Sequence, residues 1–420
     1  MNNTNYNTIY NITPPDRIDV SLKPPSSKSI SNRVLVINAL SGNVFPIQNL
    51  SDSDDTRVMI DAFNTDNTTV DIGAAGTAMR FLTAYFAQTD GVRILTGSER
   101  MKNRPVKILA DSLRSIGGEI EYLEKEGFPP LKITGHRLQG GNISLDGSVS
   151  SQYISALMMI APMMNNGLTI DLEGQVVSFP YIIMTARLME LFGVKPKIYD
   201  NSIQISQQQY VPRAFSVESD WTGASYWYEI ASLAKCEVNI TISDLRKNSL
   251  QGDSKVAELF YPLGVITTFT DSGVKLQNIR DRTLPVFLEY DFTDEPDLVQ
   301  TMAVTACMLG IPFRFSGLQS LRIKETDRIF ALQTELKKLG YILSTERDNL
   351  LEWKGERCEP EHLPVIATYD DHRMALAFAP ACLYIDKIHI AEPQVVSKSY
   401  PSFWNDLKKA GFKISLRKHQ

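Results

Sequence analysis

Five of the seven residues in Arg322-Ile323-Lys324-Glu325-Thr326-Asp327-Arg328 are charged, and an amphipathic stretch follows directly. Apolar Ile329, Leu332, Leu336 and Leu339 recur at i, i+3, i+7 and i+10. That spacing predicts a helix, with Thr326 as N-cap and Gly340 closing the far end. Lys324, Glu325 and Arg328 then lie at a helix N-terminus, where unpaired N–H groups and a partial positive charge favour an anion. A carboxylate held among cations is also an acid/base candidate, because neighbouring charges shift its pKa.

The same combination returns along the chain. Cations stand near other predicted helix starts: Lys28, Arg33, Arg104, Arg373 and Lys398. Small donors accompany them: Ser29, Gly76, Thr77, Ser150, Ser151 and Ser178, with Gln152 and Tyr181 as amide and phenol. Asp297 is a second carboxylate that could pair with Glu325 as base and acid. Arg binds phosphate and carboxylate through paired hydrogen bonds, and Lys adds a point charge. This set suits small polyanions.

The elements that must position these residues follow a hidden repeat. Gly117, Gly193, Gly264, Gly340 and Gly411 each end an amphipathic helical pattern and precede a β-rich segment. They are spaced by 76, 71, 76 and 71 residues. A glycine after a helix is common; near-constant spacing of five is a repeat. A sixth copy, after the helical stretch 57–63, is shortened, since Asn64 lies only 53 residues before Gly117. Within each unit a second, nearly all-apolar helix starts after small or ionic residues, as in Ser26-Ser27-Lys28-Ser29, Gly73-Ala74-Ala75-Gly76-Thr77 and Tyr369-Asp370-Asp371-His372-Arg373. Short alternating strands lie between, at 142–145, 168–172 and 237–242. The reading is two α/β domains of three units each, divided near 217–220.

Composition bounds the function. Hydrophobic residues make up 43% and charged residues 22%, ordinary for a globular protein. A net charge of −5 argues against a nucleic-acid partner, and no apolar run reaches membrane-spanning length. The first fifteen residues have the pattern of neither a signal nor a transit peptide, so a cytoplasmic location is expected. Cys236, Cys307, Cys358 and Cys382 lack metal spacing, and the five histidines form no H-x-x-x-H pair, so no metal is expected. P-loop and G-x-G-x-x-G patterns are missing.

From about Pro24 to Phe403 the motifs resemble the enolpyruvyl transferase family, and within it the branch whose acceptor is shikimate 3-phosphate. The resemblance rests on Ser27-Lys28-Ser29-Ile30-Ser31-Asn32-Arg33, Ala75-Gly76-Thr77-Ala78-Met79-Arg80 and Arg100-Met101-Lys102-Asn103-Arg104-Pro105. It continues through Ser53-Asp54-Asp55, Ser150-Ser151-Gln152, Ser178-Phe179-Pro180-Tyr181, Pro296-Asp297, Lys324-Glu325-Thr326-Asp327-Arg328, Asp371-His372-Arg373-Met374 and Ser397-Lys398. It implies two domains, each of three βαβαββ units in an inverted α/β barrel, spanning 24–217 and 1–23 plus 218–420, with the active site in the interdomain cleft. The implied reaction moves the enolpyruvyl group of phosphoenolpyruvate to the 5-hydroxyl of shikimate 3-phosphate and releases phosphate. It goes by addition and elimination, without a cofactor, in a monomer that glyphosate inhibits.

The residue roles implied by the resemblance are specific. Lys28, Ser29, Arg33, Ser150, Ser151, Gln152, Ser178, Tyr181, Asp297, Ser320 and Lys324 would contact shikimate 3-phosphate. Lys28, Gly76, Arg104, Gln152, Arg328, Arg373 and Lys398 would hold phosphoenolpyruvate. Asp297 would take the proton of the attacking hydroxyl, Glu325 would protonate the methylene carbon, and Lys28 would touch both substrates.

Other readings of single residues stay open at this level. Asp297 is either a helix cap or the base. Asp54, Asp55 and Arg57 read as a structural ion cluster, and His372 as an orienting residue. Trp221 stands where a small residue is usual before a helix. Ala74, Phe179 and Ser320 depart from the family's usual residues, which puts individual substrate hydrogen bonds in question. Two rival functions remain: the sibling transferase acting on UDP-N-acetylglucosamine, and a non-catalytic anion binder. The sibling typically carries a loop Cys in its first domain, and here no Cys precedes Cys236.

Overall fold

The computed structural model describes residues 6–148, 150–346 and 349–417. Gly117, Gly193, Gly264, Gly340 and Gly411 all have φ between +82° and +101°. This is left-handed backbone, which a side chain disfavours, and it explains why each helix of the repeat ends on glycine. The helix Asp54–Asn64 ends instead on Thr65 in extended backbone.

One unit in full runs strand Thr69–Asp71, helix Gly76–Gln88, strand Gly91–Thr96, helix Lys107–Ser115, then the antiparallel strands Glu119–Tyr122 and Leu131–Gly135. Its sheet places the strands in the order first, second, fourth, third, with only the first pair parallel. Four further sheets repeat that order. In the last of them the early strand Ile9–Thr13 takes the fourth place, beside Lys413–Leu416. The shortened unit contributes only Ile47–Gln48, paired in parallel with Phe215–Ser216. What it lacks, among the described residues, is the closing pair of strands.

The chain divides into two compact units, Ser26–Val217 and Met1–Pro25 with Glu218–Gln420. Two leading strands are exchanged. Ile18–Leu22 runs into the helix Lys28–Leu40 but pairs in parallel with Val238–Ser243. Phe215–Ser216 runs towards Trp221–Leu233 but pairs with Ile47–Gln48.

Each unit is built on three mutually packed helices. These are Lys28–Leu40, Gly76–Gln88 and Ser151–Ile160 in one, and Trp221–Leu233, Val299–Leu309 and His372–Phe378 in the other. Nearly every residue of the last five is buried, which is why they read as apolar runs rather than stripes, while Lys28–Leu40 buries eight of its 13 residues. The outer helices are one-sided, as in Lys107–Ser115, which buries only Leu109, Ala110, Ser112 and Leu113. Trp221 is the first residue of its helix and fills the core, its ring 6.2 Å from that of Phe269 and 6.5 Å from that of Tyr228. Its backbone N–H donates to Gln251 Oε1 at 3.0 Å, so a large residue is accommodated because Asp220 supplies the cap.

Glu229 lies in the middle of that same helix, fully buried, with no cation paired to it and the Thr305 hydroxyl beside its carboxyl, among the described residues. Burial pushes its carboxyl well above the usual range. The folded state therefore binds a proton that the unfolded chain releases above about pH 4.3. The cost of holding it grows by roughly 1.4 kcal/mol per pH unit from there to the folded pKa. Glu229→Gln should accordingly raise Tm, and raise it more at pH 8 than at pH 5. A Tm change independent of pH would rule this out.

Candidate active site

In the unit containing the C-terminus, the site is organised around Arg328. Its helix, Arg328–Lys338, is capped by Asp327, whose Oδ1 accepts from Phe330 N at 3.0 Å. The expected cap, Thr326, is one residue too early. Asp and Thr are both good caps, and local preference does not choose between neighbours. The guanidinium is about 2% exposed and meets a carboxylate on every nitrogen. Nε donates to Asp371 Oδ2 at 2.7 Å, one terminal nitrogen to Asp297 Oδ1 at 3.0 Å, and the other to Glu325 Oε2 at 2.8 Å. Asp297 is therefore no helix cap. It bridges to Arg373, whose guanidinium lies 2.7 Å from Asp297 Oδ2.

Three helix starts converge here. Asp297 belongs to the turn Pro296–Leu298 that leads into Val299–Leu309, and Arg373 to the first turn of His372–Phe378. Tyr226, from Trp221–Leu233, accepts from Arg373 at 3.5 Å. Burial opposes ionisation of Asp297, yet Arg373, Lys324 and Arg328 together hold its carboxyl well below the usual range. Lys324 is shifted down by burial, with Asp297 opposing. Lys398 donates to the backbone oxygen of Asp370 at 2.5 Å. Tyr369 and Asp370 both have left-handed backbone, φ +53° and +55°. Strain of this kind persists where the surroundings hold it, and here the Lys398 ammonium and the Tyr369–Glu335 hydrogen bond of 2.6 Å do so. His372 is buried, with Nδ1 3.9 Å from Asp371 Oδ1. Ser320 sits half-buried in the turn Gln319–Ile323.

The other unit holds a second set. Ser27 caps the helix Lys28–Leu40 by accepting from Ile30 N. Lys28 lies 3.6 Å from Asp55. Arg33 is buried, and its guanidinium donates to Ser29 O, Ser155 Oγ and Thr185 Oγ1 at 2.7–3.0 Å, with the rings of Phe81 and Tyr181 alongside. It thus sits beneath the helix start and fixes Ser29. Gln152 Nε2 donates to Thr77 Oγ1 at 3.2 Å, which ties two more helix starts together. Ser150 caps the helix of Ser151 and Gln152. Ser178, at φ +55°, precedes the helix carrying Tyr181.

Gly76 is needed for close approach. A Cβ there would lie 2.5 Å from an Arg104 guanidinium nitrogen and 2.8 Å from one of Arg80. Gly76→Ala must displace Arg104, and we expect a severalfold rise in the concentration of anionic substrate needed for half-saturation, with Tm changed by less than 3 °C. An unchanged half-saturation would show that Arg104 does not face the ligand.

Several participants were not singled out from the sequence. Asp55, read from the sequence only as part of a structural ion cluster with Asp54 and Arg57, is the ion partner of Lys28. Asp371 joins Arg328 to the start of the next helix through Arg373 N, 2.9 Å from its Oδ1. Asp253, in the turn Gly252–Lys255, is raised to about 7 by burial and by Asp297, with the Thr222 hydroxyl opposing. Tyr153 donates to Pro105 O at 2.7 Å and bears Arg80 over its ring, which braces the segment behind Arg104. Sequence spacing carries no sign of these long-range pairs.

The repeated units and the cationic helix starts define a class: a two-unit α/β protein with cations suited to small polyanions set beside ionisable carboxylates. The family model for EPSP synthase (3-phosphoshikimate 1-carboxyvinyltransferase) matches residues 12–65 and 61–407. The chain belongs to that family. A 3-phosphoshikimate 1-carboxyvinyltransferase of Bacteroides fragilis (strain YCH46) is 54% identical over 408 residues, covering 97% of this chain and 99% of the relative. One from Vibrio cholerae serotype O1 (strain M66-2) is 36% identical, covering 94% and 97%. The solved EPSP synthase of Acinetobacter baumannii superposes with a TM-score of 0.79 over 98% of this chain and 100% of its own, at 20% identity. That likeness supports the expected fold.

Proposed function

We propose that the protein is a 3-phosphoshikimate 1-carboxyvinyltransferase, an enzyme of the shikimate pathway that transfers the enolpyruvyl group of phosphoenolpyruvate to shikimate 3-phosphate and releases phosphate. The observation that carries this reading is the Arg328 cluster, three carboxylates and two arginines gathered at helix starts. Its support beyond geometry is the family membership and the names of the full-length relatives.

The residues divide the work. Arg328, Arg373 and Lys398, with Lys28, Gly76, Gln152 and Arg104, hold the phosphate and carboxylate of phosphoenolpyruvate. Ser29, Arg33, Ser150, Ser151, Ser178, Tyr181, Ser320 and Lys324 serve the acceptor. No cofactor takes part. Asp297 accepts the proton of the attacking hydroxyl, and Glu325 delivers a proton to the methylene carbon. The weak basicity of Asp297 among its cations is resolved by the substrate. When an anion takes up Arg328 and Arg373, the charges that depress the carboxylate are neutralised and its affinity for a proton recovers. Prealigned cations then stabilise the charge that develops as phosphate leaves. The protein works as a monomer in the cytoplasm, and glyphosate inhibits it.

The test is phosphate release by purified protein from phosphoenolpyruvate with shikimate 3-phosphate, with UDP-N-acetylglucosamine as the parallel acceptor. Release with the first alone is expected. Release only with the second would transfer the chain to the sibling activity, and binding without release would mark an anion binder.

A further inference from the structure

We propose that Asp371 is the positioning residue of the anion site: it is the fixed counterion of Arg328, while Asp297 and Glu325 are exchanged for substrate. The proposal rests on the transferase reading above. Arg328 offers three nitrogens and each has one carboxylate. The three carboxylates differ in access. The Asp371 side chain is 0% exposed, that of Asp297 16% and that of Glu325 28%. An anion arriving from solvent therefore reaches the terminal nitrogens by replacing Asp297 and Glu325, and leaves the Nε–Asp371 bond in place. Release of these two carboxylates is also what a base and an acid need.

Asp371 is itself held from two sides. Its Oδ1 accepts from Arg373 N at 2.9 Å, so one side chain fixes the guanidinium of Arg328 and the helix start that carries Arg373. Its backbone N–H donates to Thr368 O at 2.8 Å, across the left-handed Tyr369-Asp370 turn that Lys398 supports. A residue that only stabilised the fold would affect both substrates alike. A fixed counterion affects the substrate that needs both arginines.

Asp371→Asn separates the two jobs, because the amide oxygen keeps the cap on Arg373 while its NH2, a donor, is set against the Arg328 Nε–H and no longer holds the guanidinium in place. The expected result is a KM for phosphoenolpyruvate raised at least tenfold, with the KM for shikimate 3-phosphate changed less than twofold. A phosphoenolpyruvate KM within twofold of the unsubstituted protein overturns the proposal, and so does an equal rise for both substrates. Asp371→Ser, which also keeps a capping oxygen, carries the same test where the Asn variant does not fold. A second readout needs no turnover. Phosphoenolpyruvate should raise the Tm of the unsubstituted protein, and at least half of that rise should vanish in Asp371→Asn. A full shift in the variant overturns the proposal. If the unsubstituted protein releases phosphate with neither acceptor, the transferase reading fails, and the Tm comparison still decides the role of Asp371.

Discussion

Asp297→Asn should lower kcat about a thousandfold, the range expected for losing a general base, while moving the KM of either substrate less than tenfold. The amide has the shape of the carboxylate and still offers an oxygen to Arg328 or Arg373, now 3.0 and 2.7 Å away, but it takes no proton. The arginines then lose one of their three counterions, which favours anion binding and separates binding from turnover. Glu325→Gln should behave alike, since Glu325 touches the other terminal nitrogen of Arg328 and its loss leaves the cluster otherwise assembled. The pH profile distinguishes a base from a mere partner. The limb of kcat/KM that reports Asp297 should lie below the ordinary carboxylate range, because the cations favour its charged form, and should disappear in Asp297→Asn. A variant with kcat within threefold of the unsubstituted protein would remove Asp297 from the reaction.

How much of this was legible in the sequence depends on whether the information is local. The five glycines were readable because a helix that ends in left-handed backbone demands one at each end, and the demand repeats at a fixed interval. The shortening of the first unit was readable from the short spacing, but that the closing strands are what it lacks emerges only from the sheet pairing. The buried helices were readable as apolar runs after small or ionic starts. Lys324, Glu325 and Arg328 were readable because they crowd one helix start. Asp371 was quoted only as part of a motif, since its partner Arg328 is 43 residues away and no periodicity joins them. Asp253 sits in a short turn whose link to Asp297 exists only in the folded unit. Arg33 shows the converse. Its motif is plain in the sequence, but its burial under Ser29, Thr185 and Ser155 emerges only from packing.

Arg328→Met should cost about 3–5 kcal/mol of stability at neutral pH, because it leaves buried charges without their partner. Methionine fills much of the volume, so the loss is electrostatic rather than a cavity. Asp371, Asp297 and Glu325 would then face one another with only Arg373 and Lys324 to offset them. The sign of the pH dependence follows. In the unsubstituted protein the Asp297 carboxyl is depressed, so its contribution is present above the unfolded value near pH 3.9 and is lost as pH falls towards the folded one. In the variant the carboxylates repel, bind protons more readily, and relieve the repulsion on acidification. The gap between the two proteins should therefore narrow from pH 7 to pH 4. All four tryptophans, Trp221, Trp227, Trp353 and Trp404, lie in this unit, so urea unfolding followed by their fluorescence reports on it directly. Arg33→Met, in the other unit and followed by far-UV circular dichroism because that unit carries no tryptophan, is the control. Its partners are two hydroxyls and a backbone carbonyl, which do not titrate in that range, so its cost should be the same at both pH values. A loss for Arg328→Met below about 1 kcal/mol, or one that does not shrink with acid, would mean that solvent or Arg373 already screens the three carboxylates, and that Arg328 is not their common anchor.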